Sequence, residues 1–408
     1  DLMKILIINT FYYPHEIGGA EKSVRILAEH LVKEGCEVTV LALSDNGEKK
    51  IDYINDVKII RVPVMNLYNP GINKGKGGGF HRKLSKIIWH LCDYYNLASY
   101  LYLRKVINEP YDVIHTNNLS GFSVAAWDWA RNKHIPIVHT SRDYYLFNPN
   151  CTMYSKGKNQ DPSSYKIRLL SYYKKIMSRK VDAYVGISNF IHDLHMNSGF
   201  FSDVKHNKVI YNSIGGNLSE RELNQGHRRD GKIRLGYLGR LDDAKGISVV
   251  IDYLKDSVFD FSFKIAGKGD EEFVEKLKNE CVNDVRFIFL GQTKPEVLFN
   301  DIDCLICPSK WHEPMGRVVI EAFSYGIPVI GNNAGGIGEL ISPGYTGFLF
   351  DINSKESFID ALSSYDISDF NELSKNSIEL SKKFTDERYV TAYKTLYQDL
   401  ISESNIRT

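Results

Sequence analysis

The residues with the most chemical content lie in a few short stretches, each following a run of apolar residues. In Gly239-Arg240-Leu241-Asp242-Asp243-Ala244-Lys245-Gly246 two cations share one loop. Arginine offers a planar fork of donors and lysine a compact charge, a combination suited to the oxygens of a diphosphate. Two solvated surface cations are the plainer alternative. Residues 308–323 are denser. They carry Glu313, then Met315, Gly316 and Arg317 where a helix begins, and Glu321 eight residues after Glu313. Glu321 stands among Val319, Ile320, Ala322 and Phe323. A carboxylate in that setting needs a partner, because burying it unpaired is costly. A ribose diol offers two donors; an ordinary acid on a helix surface is the other reading. Gly331-Asn332-Asn333-Ala334-Gly335-Gly336 follows, and the amides around Gly335 and Gly336 could cradle phosphate or sugar. Near the start of the chain, Gly18 and Gly19 open a helix after a strand, which allows either a plain turn or close contact of free N–H groups with an anion.

These stretches need a scaffold, and the pattern supplies one of strand followed by helix. Short apolar runs predict strands over 4–9, 37–43, 57–62, 112–116, 136–140, 182–187 and 208–211, with helices over 20–34, 81–107 and 121–133. Residues 215–231 are polar and glycine-rich and read as a linker. Alternation then resumes, with strands over 233–238, 261–266, 285–290, 304–307 and 328–330. This implies an α/β protein with two Rossmann-like domains, 1–214 and 232–384, facing across a cleft, and a last helix within 385–408. Ligands of open parallel sheets sit beyond the carboxyl ends of the strands. Residues 144–163 read as a long mobile loop.

At 408 residues the chain has room for two or three domains, and 43% hydrophobic with 25% charged residues excludes wholesale disorder. The net charge of +1 argues against a dedicated nucleic-acid binder. Residues 1–200 hold 26 basic against 18 acidic residues and the remainder 25 against 32, so one half is basic and the other acidic. Six scattered cysteines make no disulfide framework, and Cys304 and Cys307 fall in an apolar run that reads as a buried strand rather than a redox or zinc motif. No apolar stretch is long enough to span a membrane, and residues 4–9 read as a strand rather than a signal sequence. A soluble cytoplasmic protein is expected. No cluster has metal-ligand spacing.

The spaced set G-R-x4-K-G at 239–246, P-S at 308–309, E-P-x-G-x4-E-A at 313–322, G-x-P-V-I at 326–330 and G-G-x-x-E at 335–339, with Gly18-Gly19-Ala20-Glu21 and Gly186-Ile187-Ser188, resembles the retaining glycosyltransferases of family 4, which have the GT-B fold. The resemblance implies that Arg240 and Lys245 bind the donor diphosphate and that Glu313 contacts the donor sugar. Glu321 would hold the ribose, and Gly335 and Gly336 would place sugar and phosphate. Gly18 and Gly19 would approach the diphosphate, and backbone near Leu290, Gly291 and Gln292 would read the base. It also implies that the last helix crosses back to the N-terminal domain. Three positions depart from the pattern: Met315 stands where the family usually has Phe, Gly338 where it often has Pro, and Arg142 where many relatives have His. Strand alternation puts Thr140 and Arg142 on one side and His139 on the other, where a core histidine is the plainer reading. Arg142 and Asp143 are candidates for anchoring donor or acceptor, with His115, Asn118, His139 and Tyr144 on the acceptor side. Asp301-Ile302-Asp303 looks like a metal-binding D-x-D but precedes a buried strand, and the Arg240/Lys245 pair already supplies positive charge for a leaving diphosphate.

The expected activity is metal-independent, retaining transfer of a hexose from a nucleotide diphosphate sugar, UDP-sugar before GDP-mannose, to a hydroxyl of a glycan or polyprenyl-diphosphate-linked acceptor in bacterial surface polysaccharide assembly, lipopolysaccharide included. No cofactor is expected beyond the nucleotide sugar as co-substrate. A nucleotide-sugar epimerase of the same fold and a non-catalytic nucleotide-sugar binder are the alternatives. Basic and aromatic residues over 73–83 and 166–180 suit peripheral docking on the anionic inner face of a plasma membrane, or are simply solvated.

Overall fold

The computed structural model describes residues 2–16, 18–63, 80–221, 223 and 230–407. The chain forms two compact units. The first comprises Asp1–Thr152, Asp161–Tyr211 and Asp386–Thr408; the second comprises Met153–Gln160 and Asn212–Thr385. The polar segment expected as a linker from 215 thus begins inside the second unit, and residues 222 and 224–229 of it lie outside the described residues, as do residues 73–79 of the basic loop.

Along the chain the strands are β1 (Lys4–Ile8), β2 (Glu37–Leu43), β3 (Lys50–Ile54), β4 (Val57–Val62), β5 (Val113–Thr116) and β6 (Ile137–Ser141), then the short β7 (Tyr154–Ser155) and β8 (Lys158–Asn159), then β9 (Ala183–Gly186) and β10 (His206–Val209). The first unit's sheet has the order β10-β9-β6-β5-β1-β2-β4-β3, parallel except for β3 on β4. In the second unit β11 (Ile233–Leu238), β12 (Phe261–Ala266), β13 (Phe287–Gly291), β14 (Cys304–Cys307), β15 (Val329–Asn332) and β16 (Gly347–Phe350) form a parallel sheet ordered β13-β12-β11-β14-β15-β16. β14 is a continuous apolar run and β1 is one after Lys4, because helices cover both faces of such sheets; β5 and β6 are as deeply buried but carry His115 and His139. Cys304 and Cys307 are free thiols buried in β14.

Three expectations need correcting. The single helix over 81–107 is two, Phe80–Cys92 and Leu97–Val106, because Asn96 caps the second by accepting from the Ser99 N–H at 3.0 Å. β3 was not expected, since its faces are mostly exposed; it follows from the tight turn at Asn55 and Asp56, both at positive φ, the geometry of a two-residue hairpin. Residues 144–163 are not a free loop. Tyr144, Tyr145, Leu146 and Phe147 are buried, and Met153–Gln160 forms the β7–β8 hairpin of the second unit.

The last helix, Asp386–Arg407, belongs to the first unit and lays Tyr389, Val390, Tyr393, Leu396, Tyr397 and Leu400 into its core. Its tyrosines recur every four residues and meet polar groups of β5 and β6. Tyr397 Oη lies 2.5 Å from His115 Nδ1, Tyr393 Oη 3.0 Å from Thr140 Oγ1, and Tyr389 Oη accepts from an Arg142 guanidinium N–H at 2.9 Å. The match is metric: four helical residues advance about 6 Å and two strand residues about 6.6 Å. Tyr389→Phe removes one acceptor from a buried guanidinium and should cost roughly 1–3 kcal/mol, read as a lower denaturant midpoint at unchanged m-value.

Candidate functional site

Parallel sheets collect the carboxyl ends of their strands on one edge, and the strand order of the second unit reverses between β11 and β14. Loops leaving those two strands therefore diverge over an open crevice, the usual ligand position in such sheets. They are residues 239–246 after β11 and 308–316 after β14, the two stretches singled out first from the sequence.

After β11, Asp242 caps a one-turn helix by accepting from the Lys245 N–H at 3.0 Å. Gly246 has φ +71°, and a Cβ there would lie 1.9 Å from the Pro308 carbonyl oxygen, so only glycine lets the two loops pass so closely. The Ala244 carbonyl accepts from the Lys310 and Trp311 N–H groups at 2.9 and 3.0 Å. This stitching brings Lys245 Nζ to 2.6 Å from Glu313 Oε1, both side chains largely shielded, with the Trp311 ring centre 5.4 Å from the ammonium. Arg240 on the same loop is two-thirds exposed, its Nε 3.7 Å from Asp242.

The loop after β15 completes the cradle. Gly335, at φ +57°, sits so near that a Cβ would be 2.8 Å from both N and O of Glu313, and the Gly336 N–H donates to the Glu313 carbonyl at 2.7 Å. Gly316 at φ +98° starts the helix Arg317–Ser324, and Met315 beside it is buried. Glu321 has a partner that the sequence reading did not find: Arg317 Nε, one turn earlier, stands 3.3 Å from its carboxylate. The i,i+4 spacing was the signal. At the end of β13, Gly291 O accepts from the Gly267 N–H at 2.8 Å, leaving Leu290, Gly291 and Gln292 on the same carboxyl edge. Asp301 and Asp303 precede β14 and so lie toward the opposite edge. Asp301 pairs with Lys264 at 3.1 Å, and the buried Asp303 lies 3.7 Å from Arg234. Among the described residues no three His, Cys, Asp or Glu side chains are grouped to hold a metal ion.

In the first unit the order reverses between β1 and β5, and the loops after them are tied together. Thr10 Oγ1 donates to Asn118 Oδ1 at 2.8 Å, and Asn118 Nδ2 donates to Asp143 Oδ2 at 2.5 Å and approaches Cys151 Sγ at 3.4 Å. Burial pushes the half-buried Asp143 carboxyl above its ordinary range. The Gly18 N–H, expected to face an anion, donates to Glu21 at 2.8 Å; Gly19 begins the helix Gly19–Lys33. Burial likewise raises Glu21, with Asp143 a smaller contributor, so two acids share this edge.

The structure places the other expected acceptor-side residues in the core. His115 has Nδ1 on Tyr397 and Nε2 on Thr140 at 2.7 Å. His139 meets Thr116 at 2.8 Å between Trp127 and Phe201, and burial holds both imidazoles well below their ordinary pKa. Tyr144 is buried, and Arg142 donates to Asn117 Oδ1 at 2.9 Å as well as to Tyr389. A buried group absent from the sequence reading is Asp93. It accepts from the Gly121 N–H at 2.7 Å and from Tyr145 Oη at 2.6 Å, and Lys174 Nζ nearby donates to the Tyr145 carbonyl at 3.0 Å.

Residues 17–214 match the family described as Glycosyltransferase Family 4, and residues 219–383 match Glycosyl transferases group 1. A 42.6 kDa protein in the cps region of Klebsiella pneumoniae is 39% identical over 339 residues, covering 83% of this chain and 87% of that one. Among solved structures, sucrose-phosphate synthase from Thermosynechococcus elongatus superposes with a TM-score of 0.74 at 21% identity, covering 98% of this chain and all of that one. Anabaena Alr3699/HepE in complex with UDP and glucose superposes with a TM-score of 0.67 at 17% identity, covering 97% and 100%.

Burial lifts the Asp93 carboxyl from 3.8 to about 7. The unfolded chain loses that proton first, so its contribution to stability is full below about pH 4 and is lost as pH rises through about 7. Relative to Asp93→Asn, the wild-type chain should therefore lose stability from about pH 4 to about pH 7, by at most about 1.4 kcal/mol per pH unit, and level off above that. Parallel melting curves for the two proteins across that range would refute the assignment.

Proposed function

Because the chain belongs to the glycosyltransferases of group 1 and family 4 and has their GT-B fold, we propose that it transfers a hexose, with retention of anomeric configuration, from a nucleotide diphosphate sugar to a hydroxyl of a glycan or lipid-linked glycan. The observation that carries this reading is the Lys245–Glu313 pair at the β11/β14 reversal, 2.6 Å apart with exposed Arg240 on the same loop. A diphosphate takes up the ammonium and the guanidinium, and Glu313, held by Gly335 and Gly336, accepts from sugar hydroxyls. The bond from the anomeric carbon to the phosphate oxygen breaks as the acceptor oxygen bonds on the same face. The acceptor proton passes to the departing phosphate. The two cations stabilise the charge that develops there, so the reading requires no metal. Glu321, oriented by Arg317, receives the ribose, and the backbone at Leu290, Gly291 and Gln292 receives the base.

UDP is the favoured nucleotide, supported by the structural neighbour bound to UDP and glucose, with GDP as the alternative. The relative in the cps region supports a role in surface polysaccharide assembly. In the first unit Asp143 and Asn118 are the groups available to an acceptor hydroxyl. Tyr165, Leu169, Tyr172 and Ile176 form one exposed stripe along the helix Tyr165–Ser178, which has Lys166, Arg168 and Lys175 but no acidic residue. Leu84, Ile87 and Leu91 are likewise exposed along Phe80–Cys92. Among the described residues no helix is long and apolar enough to cross a membrane. Exposed apolar stripes beside cations support peripheral docking on anionic lipid, which would bring a lipid-linked acceptor to the enzyme.

Lys245→Ala should lower transfer at least about 100-fold, the scale of losing one preorganised charge-stabilising donor. Near-normal turnover would overturn the diphosphate assignment. Donor consumption that needs no acceptor would point to an epimerase. In sedimentation with phosphatidylglycerol vesicles, the Leu169→Ser/Tyr172→Ser double variant should bind about tenfold more weakly than wild type. Equal binding by both proteins would exclude that stripe as the docking face.

A further inference from the structure

The β7–β8 hairpin is drawn from the N-terminal half of the chain yet belongs to the second unit: the chain leaves the first unit after Thr152 and returns to it at Asp161. Lys156 and Gly157 at its tip have φ +51° and +76°, the two left-handed residues of a tight hairpin turn. The Gln160 N–H closes its base on the Met153 carbonyl at 2.6 Å, with Met153 buried. Tyr154 and Asn159 are directly opposite in the ladder, and cross-strand partners project from the same face. That face meets both loops of the β11/β14 crevice.

Asn159 spans the backbone just before Glu313. Its Nδ2 donates to the Lys310 carbonyl at 2.8 Å, and its Oδ1 accepts from the His312 N–H at 3.0 Å. One side-chain amide thus bonds residues two apart and clasps the bend at Lys310 and Trp311, just ahead of the carboxylate-bearing residue. Tyr154 Oη donates to Asp243 Oδ2 at 2.9 Å, and Lys310 Nζ lies 2.6 Å from Asp243 Oδ1. The same hairpin face therefore fixes the turn that carries Lys245 and the loop that carries Glu313.

We propose that Asn159 and Tyr154 are positioning residues for the donor sugar: they set the loop from which Glu313 reaches the sugar, and so govern recognition of the hexose more than of the nucleotide. The inference rests on the reading of Glu313 as the sugar-contacting carboxylate. The bonds of the two side chains go to Asp243, Lys310 and His312, in the loops that carry Lys245 and Glu313, whereas the proposed ribose and base contacts lie on the helix Arg317–Ser324 and at the end of β13. Asn159 is the stronger of the two, because it makes two bonds to the sugar loop and Tyr154 one bond to the phosphate turn.

The test compares binding of UDP and UDP-glucose, with GDP and GDP-mannose as second probes, by wild type, Asn159→Ala, Asn159→Asp, Tyr154→Phe and Glu313→Gln. For Asn159→Ala, affinity for the free nucleotide should stay within about twofold of wild type. The added affinity contributed by the sugar, and kcat for its transfer, should fall about tenfold, the scale of one to two lost hydrogen bonds. Asn159→Asp keeps the acceptor for the His312 N–H and should lie between wild type and Ala, and Tyr154→Phe should be milder still. A generally loosened fold would lower both affinities together, and that result overturns the proposal. Loss of the sugar increment in Glu313→Gln but not in Asn159→Ala overturns the proposal alone. An unchanged increment in Glu313→Gln overturns the reading of Glu313 and the proposal with it, as does failure of wild type to bind any of the four probes.

Discussion

The arrangement of the second unit depends on one ion pair, Lys245 with Glu313, drawn from loops 68 residues apart in sequence. An ion pair so far withdrawn from water gains little net stability, because desolvation of the two charges offsets much of their attraction. Its effect is placement. It holds an ammonium and a carboxylate side by side where two strands diverge, the arrangement on which the proposed donor site rests. The loops can approach because Gly246 and Gly335 leave room where any side chain would strike backbone. Backbone hydrogen bonds from Lys310 and Trp311 to Ala244 then fix the approach.

The first unit solves a different electrostatic problem. It buries Arg142, Lys174 and Asp93, each of which would be costly alone. Asp93 is satisfied by Gly121 and Tyr145, and Lys174 by the Tyr145 carbonyl and, at 3.9 Å, the face of the same ring. Tyr145 thus serves both charges, which is why the segment following β6 is packed rather than loose. Asp143 lies in that same segment, so its carboxylate, which accepts from Asn118 and from the Tyr145 N–H, sits on a rigid support.

Much of the fold was legible because buried parallel strands leave continuous apolar runs. Lys4–Ile8 and Cys304–Cys307 could be read directly, and so could the order of the two halves. What escaped had weak local signals. β3 is exposed on an edge, and β16 (Gly347–Phe350) is short and opens on glycine. The β7–β8 hairpin has two residues per strand, and its polar sequence, Tyr154-Ser155-Lys156-Gly157-Lys158-Asn159, is stabilised by partners more than 80 residues away. The loops after β11 and β14 could be picked out by residue type, but their pairing could not: the structure sets Lys245 beside Glu313 and leaves Arg240 largely exposed, as a solvated cation would be. Pairings were harder. Arg317 with Glu321 has the spacing of an ordinary helix pair, and only the side-chain geometry shows that the acid already has a cation beside it.

Arg142 illustrates how a single substitution can be read through its neighbours. The family resemblance drawn from the sequence leads one to expect a histidine there. Here the guanidinium continues a column of polar groups, His115, Thr140 and Arg142, matched one for one by Tyr397, Tyr393 and Tyr389. A histidine is shorter and offers only two ring nitrogens, whereas arginine can reach both Asn117 and Tyr389. The column also sets register. Sliding the last helix by one residue would turn every tyrosine hydroxyl away from its partner and leave three buried polar groups each one bond short, a larger penalty than the loss of any one bond. Hydrophobic packing alone would tolerate such a slip more readily, because it is not directional. The arginine thus has a structural reason to be present, one that involves no ligand.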